Sequence, residues 1–223
     1  MADHNLPFAP ATLTSLSDQV YERLRLAIIS AALKPGEKLV ELDIAAQMGT
    51  SQGPVREALQ RLEHDGLVER RARIGSFVTF LKMDEMREMV DIRSSVETFA
   101  IRRTAKTITN TQCDELDNLI EQMTEAATNH DIMTLAQIDM KFHQNIIIWS
   151  ESETLLRVWS TMGNQIQRFV VQTHSEAYTD YVEIATRHAP IVQALRAHDG
   201  DAGVECIQHH IHLIFSHLER LRI

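Results

Sequence analysis

The stretch from Gly49 to Gly66, GTSQGPVREALQRLEHDG, constrains the chain more than any other, because it reads as a short helix fixed at both ends. Ser51 stands at the N-cap, where its hydroxyl is expected to accept from a first-turn amide. Gly53 and Pro54 fall in the first turn, where the missing N–H of proline had no partner to lose. Gly66 supplies the positive φ that ends such a helix. Between these ends Val55, Ala58, Leu59 and Leu62 form an apolar face, and Gln52, Arg56 and Gln60 recur every four residues on the other. The outer face is polar, long-armed and poor in acids near its N-terminal end. Such a helix suits a DNA groove.

The flanking sequence supplies the rest of a helix-turn-helix. Ser17 is expected to cap a first helix in which Val20, Leu24 and Ile28 fall at steps of four, and Lys34-Pro35-Gly36 stops it. A second helix is expected over about Glu41 to Met48, with Gly49 making the tight turn into the third. That order presents the third helix to a major groove. After Gly66 the pattern becomes extended, with strand-like runs at Leu67–Arg70 and Ser76–Phe80 around a basic hairpin, Arg71–Gly75. Alone, a basic loop reads as solvated surface. Beside a helix-turn-helix, Arg70, Arg71 and Arg73 read as a β-wing that holds phosphates or reaches a minor groove.

Charge neither supports nor excludes this reading until it is divided. The net charge is −9, yet residues 1–80 carry nine Lys and Arg against ten Asp and Glu, so the excess acid belongs to the remainder. DNA affinity depends on where cations sit. A non-specific DNA coat is disfavoured, and a sequence-specific reader remains open. No apolar run approaches the roughly 20 residues that span a bilayer, and the first residues lack the basic and apolar regions of a signal peptide. Cys113 and Cys206 offer no disulfide framework and are read as buried small apolar residues in a cytoplasmic protein without membrane contact.

From Lys82 onward the pattern is helical, which predicts an all-α antiparallel bundle. The expected helices run over Met83–Ala105, from a cap at Asn110 or Thr111 to about Ala127, Asp131–Trp149, Glu153 to about Thr173, a short piece within Glu176–Ala185, about His188–Ala197, and Asp201–Arg220. Pro190 is tolerable only in the first turn of its helix, which fixes that start beside His188. Asp139 and His143 lie one turn apart on one helix. With His188 and His210 they supply three imidazoles and a carboxylate, a donor set suited to a divalent transition metal with positions left for water or ligand. By itself the spacing is weak, since the chain has 11 histidines and single buried ones are often structural.

These residues resemble a known family. The run KPGEKLVELDIAAQMGTSQGPVREALQRLEHDGLVERRARIGSFV is similar to the winged helix-turn-helix of GntR-type transcriptional regulators, with Pro35-Gly36, Pro54–Leu59, Asp65–Val68 and Gly75–Val78 carrying the match. The remainder resembles the FCD effector domain of the FadR-like branch, through Asp139, Phe142, His143, His188 and His210, the last preferred over His209 by spacing. The resemblance implies a mainly α fold: a flexible tail at 1–13, a winged helix-turn-helix at 14–80, and an FCD-like bundle at 81–223 for metal, effector and dimerisation. It implies DNA contacts from Ser51, Gln52, Gly53, Arg56, Gln60, Arg70, Arg71, Arg73 and Gly75. It further implies a metal (zinc first, with nickel or manganese as alternatives) on Asp139, His143, His188 and His210. Arg93 would line the pocket of a small carboxylate metabolite, unless it simply pairs with Glu97 one turn on.

The expected function is that of a homodimeric repressor on a double-stranded DNA operator, released or recruited by that metabolite. Departures from the family pattern fall at Gln52, where an arginine usually reads bases, and at Ile74, Ser152 and Arg187. Glutamine favours adenine where arginine favours guanine. Two other classes stay open: a metal-dependent enzyme, although no general base is evident beside the ligands, and a helical interaction protein whose histidines are structural.

Overall fold

The computed structural model describes residues 15–177 and 180–221. The tail expected at 1–13 lies outside them. Helix α1 (Leu16–Ile29) is capped by Ser15, two residues ahead of the expected Ser17. The reason is reciprocal capping: the Asp18 amide donates to Ser15 Oγ at 3.0 Å, and the Ser15 amide donates to the Asp18 carboxylate at 3.2 Å. A cap at Ser17 would place Val20 three residues on, with nothing to accept. Strand β1 (Lys38–Leu39) follows, then α2 (Glu41–Met48) and α3 (Gln52–His64). Gly49 makes the α2–α3 turn at φ 64°, a left-handed conformation that costs glycine nothing.

Strands β2 (Val68–Arg71) and β3 (Gly75–Val78) form the hairpin, and β1 adds antiparallel to β3, giving a three-stranded sheet in the order β1-β3-β2. The sequence does not announce β1, since two residues are too few to show alternation. β2 begins at Val68, not Leu67, because the Leu67 amide closes α3 onto the Leu62 carbonyl at 2.9 Å. The α3 apolar face, with α1, Leu39, Ala45, Leu67, Val68 and Val78, forms a core in which Val55, Ala58 and Leu62 are completely buried.

The rest is helical: α4 (Met83–Thr107), α5 (Asn110–Thr128), α6 (Ile132–Trp149), α7 (Glu153–Ala177), α8 (Val182–Thr186), α9 (Ala189–Arg196) and α10 (Gly200–Leu221). Helix α5 is capped by Thr109, ahead of the expected Asn110 or Thr111, because Gln112 completes a second reciprocal box with it. Helices α4 and α7 outrun their expected ends by two and four residues. Pro190 falls in the first turn of α9, as its missing donor requires. Helices α4, α5, α6, α7, α9 and α10 enclose a second core containing Ile101, Leu116, Phe142, Ile146, Val170, Ile191 and Ile207. Ile29 of α1 belongs to this core, whereas its neighbour Ile28 belongs to the first. Cys113 is buried, as expected; Cys206 is only partly so.

Candidate functional site

The candidate reading surface begins with α3. Its inward residues are sealed in the core, so Gln52, Gly53, Arg56 and Gln60 stand exposed on the opposite side. Ser51 occupies the cap with extended backbone, φ −88° and ψ 168°, but its hydroxyl makes no capping bond. The expected intrahelical contact is therefore corrected: the cap is conformational, and the hydroxyl is left exposed. Arg56 donates to Glu41 at the start of α2, through NH2 at 2.9 Å and Nε at 3.2 Å. In the wing Arg71 pairs with Glu69 at 2.5 Å and its guanidinium lies 4.6 Å from the Phe77 ring centroid. Arg70 and Arg73 are exposed and have no ion-pair partner among the described residues, and Arg73 sits at the tip with φ 62°. Gly75 is required by its φ of 135°, where an L side chain is strained; the nearest atom to a Cβ there, Lys38 Cε at 3.0 Å, ends a flexible side chain that could yield.

The second constellation is inside the bundle. Asp139 and His143 project from α6, His188 caps α9, and His210 projects from α10. One ligand atom from each lies within 4.8 Å of all the others, and no residue of the four exceeds 5% exposure. Ring hydrogen bonds fix which nitrogen faces inward. His188 Nδ1 lies 3.1 Å and 3.2 Å from the Ile184 and Ala185 carbonyls, so the proton belongs there. His143 Nδ1 lies 2.5 Å from Glu97 Oε2, which likewise leaves Nε2 for the interior. His188 Nε2 then meets Asp139 Oδ1 at 3.0 Å without hydrogen-bond alignment, and His143 Nε2 lies 3.9 Å from the same oxygen.

A lone pair facing a carboxylate at that distance is repulsive unless something positive lies between them. Both Asp139 oxygens, the inward nitrogens of His143 and His188, and both His210 nitrogens are buried with no hydrogen-bond partner among the described residues. Leaving even one such group unsatisfied costs about 1–3 kcal/mol. Burial pushes the His143 and His210 pKa values down. Burial would raise that of Asp139, but the positive charge around it, Arg93 included, outweighs burial and holds the carboxyl well below its usual range. Neutral imidazoles with an ionised carboxylate are the protonation states that a divalent metal needs. The donors fit such an ion: three nitrogens and a carboxylate suit zinc, nickel or manganese.

Arg93 and Glu97 of α4 lie against this cluster. Arg93 is 2% exposed and donates from Nε to Glu97 Oε1 at 2.6 Å. Its NH2 is buried without a partner, and its guanidinium carbon lies 5.6 Å from the Trp159 ring centroid. The pairing with Glu97 and a place beside the cluster, set out above as alternatives, are both present.

A model of bacterial regulatory proteins of the gntR family matches residues 16–78, and a model of the FCD domain matches residues 88–213. A probable D-xylose utilization operon transcriptional repressor of Paenarthrobacter nicotinovorans is 33% identical over 200 residues, covering 90% of this chain and 87% of that protein. The chain is a GntR-family transcriptional regulator. It is also similar to the gluconate operon transcriptional repressor of Bacillus subtilis (strain 168), 28% identical over 81% of this chain and 76% of that one. The structure of E. coli McbR/YncC shares the fold, with a TM-score of 0.80 at 22% identity over 95% of this regulator and 100% of that chain. Members of this family regulate transcription by binding DNA and are not enzymes, which removes the metalloenzyme alternative.

Two features of the regulator escaped sequence reasoning. One is His174 on α7, completely buried, with its pKa lowered to about 4, mainly by burial. Its spacing from Ile166 and Val170, two steps of four on an apolar face, was the available signal. The other is a polar seam from α7 to the DNA-reading unit. Asn164 donates to Tyr21 Oη at 2.9 Å and to Asp65 at 2.8 Å, and Tyr21 donates to the same Asp65 oxygen at 2.5 Å. Arg168 donates to the Thr79 carbonyl at 2.7 Å and hydroxyl at 2.9 Å, while Arg25 donates to Gln167 at 2.8 Å. Burial and Asp65 push the Tyr21 pKa up to about 12. The run Gly163-Asn164-Gln165, between the apolar residues Met162 and Ile166 of an amphipathic helix, was the trace of this seam in the sequence. A cleft of about 420 Å³ opens beside it, lined in part by Arg71, Phe80, Met86 and Arg168. Among the described residues no helix is long and apolar enough to cross a membrane.

Proposed function

We propose that this GntR regulator is a cytoplasmic, homodimeric repressor whose operator binding depends on a divalent metal and a small carboxylate held in its bundle. Residues 14–80 act as the reader and 81–223 as the effector and dimerisation unit. The observation that carries the reading is the buried cluster of Asp139, His143, His188 and His210, whose inward polar atoms have no hydrogen-bond partner among the described residues. Those four residues would hold the metal, which when bound supplies Lewis-acidic positions for an anionic ligand. Arg93, with its unpartnered NH2, supplies a cation beside them.

At the other end Ser51, Gln52, Gly53, Arg56 and Gln60 face the groove, and Arg70, Arg71, Arg73 and Gly75 present the wing to the backbone. Ile92 and Phe99, seven residues apart on α4 and 50% and 60% exposed, support pairing of two copies through this helix. Helix α7 is the route between the ends. Its Trp159 lies beside Arg93, and its Asn164 and Arg168 grip the reader. A ligand shifts the reader only if it favours one arrangement of that seam over another.

The test is metal analysis of protein purified without a histidine tag, followed by operator-binding titrations with and without chelator and with a panel of small acids. Sugar-derived acids come first, since two relatives are named for D-xylose utilization and gluconate operons. About one metal per chain is expected, with DNA affinity altered by its removal and by at least one carboxylate. Operator binding indifferent to both would refute the reading.

A further inference from the structure

Glu97 touches both halves of the candidate site. Its Oε2 lies 2.5 Å from His143 Nδ1 and its Oε1 lies 2.6 Å from Arg93 Nε, and all three residues are at least 98% buried. A carboxylate is the only side-chain group that can accept from both of these donors at once without offering a hydrogen of its own. We propose that Glu97 is a positioning residue that keeps the His143 proton on Nδ1, so that Nε2 is presented bare to a metal, while it holds Arg93 beside the same site. This rests on the metal reading above and deepens it.

The physical consequence is a shared acceptor. A carboxylate on the outer nitrogen of a ligating histidine fixes ring orientation and raises ligand basicity. Here the same carboxylate also balances the guanidinium that would meet an anionic ligand. An anion drawing on Arg93 competes with Glu97 for it, and a Glu97 relieved of Arg93 bonds His143 more strongly. Metal and anion affinity are then linked through one side chain, and the linkage must be reciprocal.

Glutamine tests this sharply. In Glu97→Gln a single amide oxygen replaces two acceptors, and the charged Arg93 donor is the stronger claimant for it. The amide NH2 then faces His143 Nδ1, which must become the acceptor, moving the proton to Nε2 and blocking the inward nitrogen. Adding Arg93→Met frees the amide oxygen for His143 and restores the original tautomer. The full-length protein is examined in two ways: nitrogen-15 shifts of the His143 ring without metal, and zinc affinity by chelator competition.

Wild type is expected to carry the proton on Nδ1. Glu97→Gln should move it to Nε2 and weaken zinc by about 10–100-fold or more. Arg93→Met/Glu97→Gln should return both readouts toward wild type, a rescue that a merely structural glutamate would not give. Should the single variant not fold, Arg93→Met/Glu97→Gln against Arg93→Met/Glu97→Met carries the comparison, since both are neutral at positions 93 and 97 and differ only in that glutamine can accept. Zinc affinity should then differ by about 10–100-fold in favour of glutamine. A wild-type proton on Nε2, or glutamine variants indistinguishable in tautomer from their comparators, overturns the proposal. If wild type takes up no zinc while its proton sits on Nδ1 and moves in Glu97→Gln, the metal reading fails and the role of Glu97 in orienting His143 stands.

Discussion

Two of the molecule's arginine–glutamate pairs lie in opposite settings, and the contrast explains what each end can do. Arg56 and Glu41 meet at 2.9 Å on the open face of α3. Arg93 and Glu97 meet at 2.6 Å with 2% and 1% of their side chains exposed. Solvent screens the first pair, so Arg56 can exchange its partner for a phosphate or a base edge at little cost. The second pair is shielded, and removing one member would strand a buried charge, a loss of about 3–5 kcal/mol. The reader is therefore built from side chains that stay free to change partners. The bundle holds side chains that cannot change partners without disturbing their neighbours, which is what a relay requires.

The largest effect that sharpens this contrast is expected on the buried side. His143→Ala should lower metal affinity by more than 100-fold and abolish the thermal stabilisation by added metal, which for wild type at 100 times its Kd is worth about 2.7 kcal/mol. Equal thermal shifts in both proteins would break the comparison. The next effect is on pH. His174 stays neutral in the fold down to about pH 4, whereas an unfolded histidine takes up a proton near 6.5. The unfolded chain thus binds more protons in that window, and stability falls as pH drops from 6.5 toward 4, by up to about 3 kcal/mol. His143 and His210 shift in the same direction and steepen the slope. Urea denaturation in chelator should show His174→Gln flatter than wild type.

Between the two regions, Arg168→Met should cost about 1–3 kcal/mol through the stranded Thr79 carbonyl. It should also make operator binding less responsive to metal removal, as read by anisotropy; an undiminished response would move the relay off α7. On the exposed side, Gln52→Arg should shift the preferred operator base toward guanine by about 1–3 kcal/mol, visible in a binding-site selection. Arg70→Ala should be the mildest, reducing the slope of log affinity against log salt by about 0.9 and leaving base preference intact.

How much of this was legible in the sequence differs between the same two regions, for a physical reason. The reader is written in local signals: alternating faces of α3, the left-handed turn at Gly49, and a hairpin of basic residues. Its failures were local too, at Ser17, where the partner three residues on decides the cap, and at β1, which exists only because β3 lies beside it. In the bundle, Asp139 and His143 share a turn, but their convergence with His188 and His210 is a tertiary event, and the family resemblance supplied it. Glu97 appeared in sequence only as the i+4 neighbour of Arg93. That its second oxygen reaches another helix depends on how α4 packs on α6, and no spacing along the chain records that. The seam partners Tyr21 and Asn164 lie 143 positions apart, beyond the range of any periodic pattern.

Ile28 and Ile29, consecutive on α1, are buried in different cores. A regulator whose halves were joined only by a linker could be recombined by exchanging readers between relatives at the wing. Here such an exchange would carry in an α1 shaped for one core and foreign to the other. The workable crossover has to preserve the Ile29 side of α1 with the recipient bundle, or remodel both faces together. If α3 reads the operator as proposed, changing preference by a few substitutions on it is therefore the easier path to a new target, with Gln52 as the first position to change.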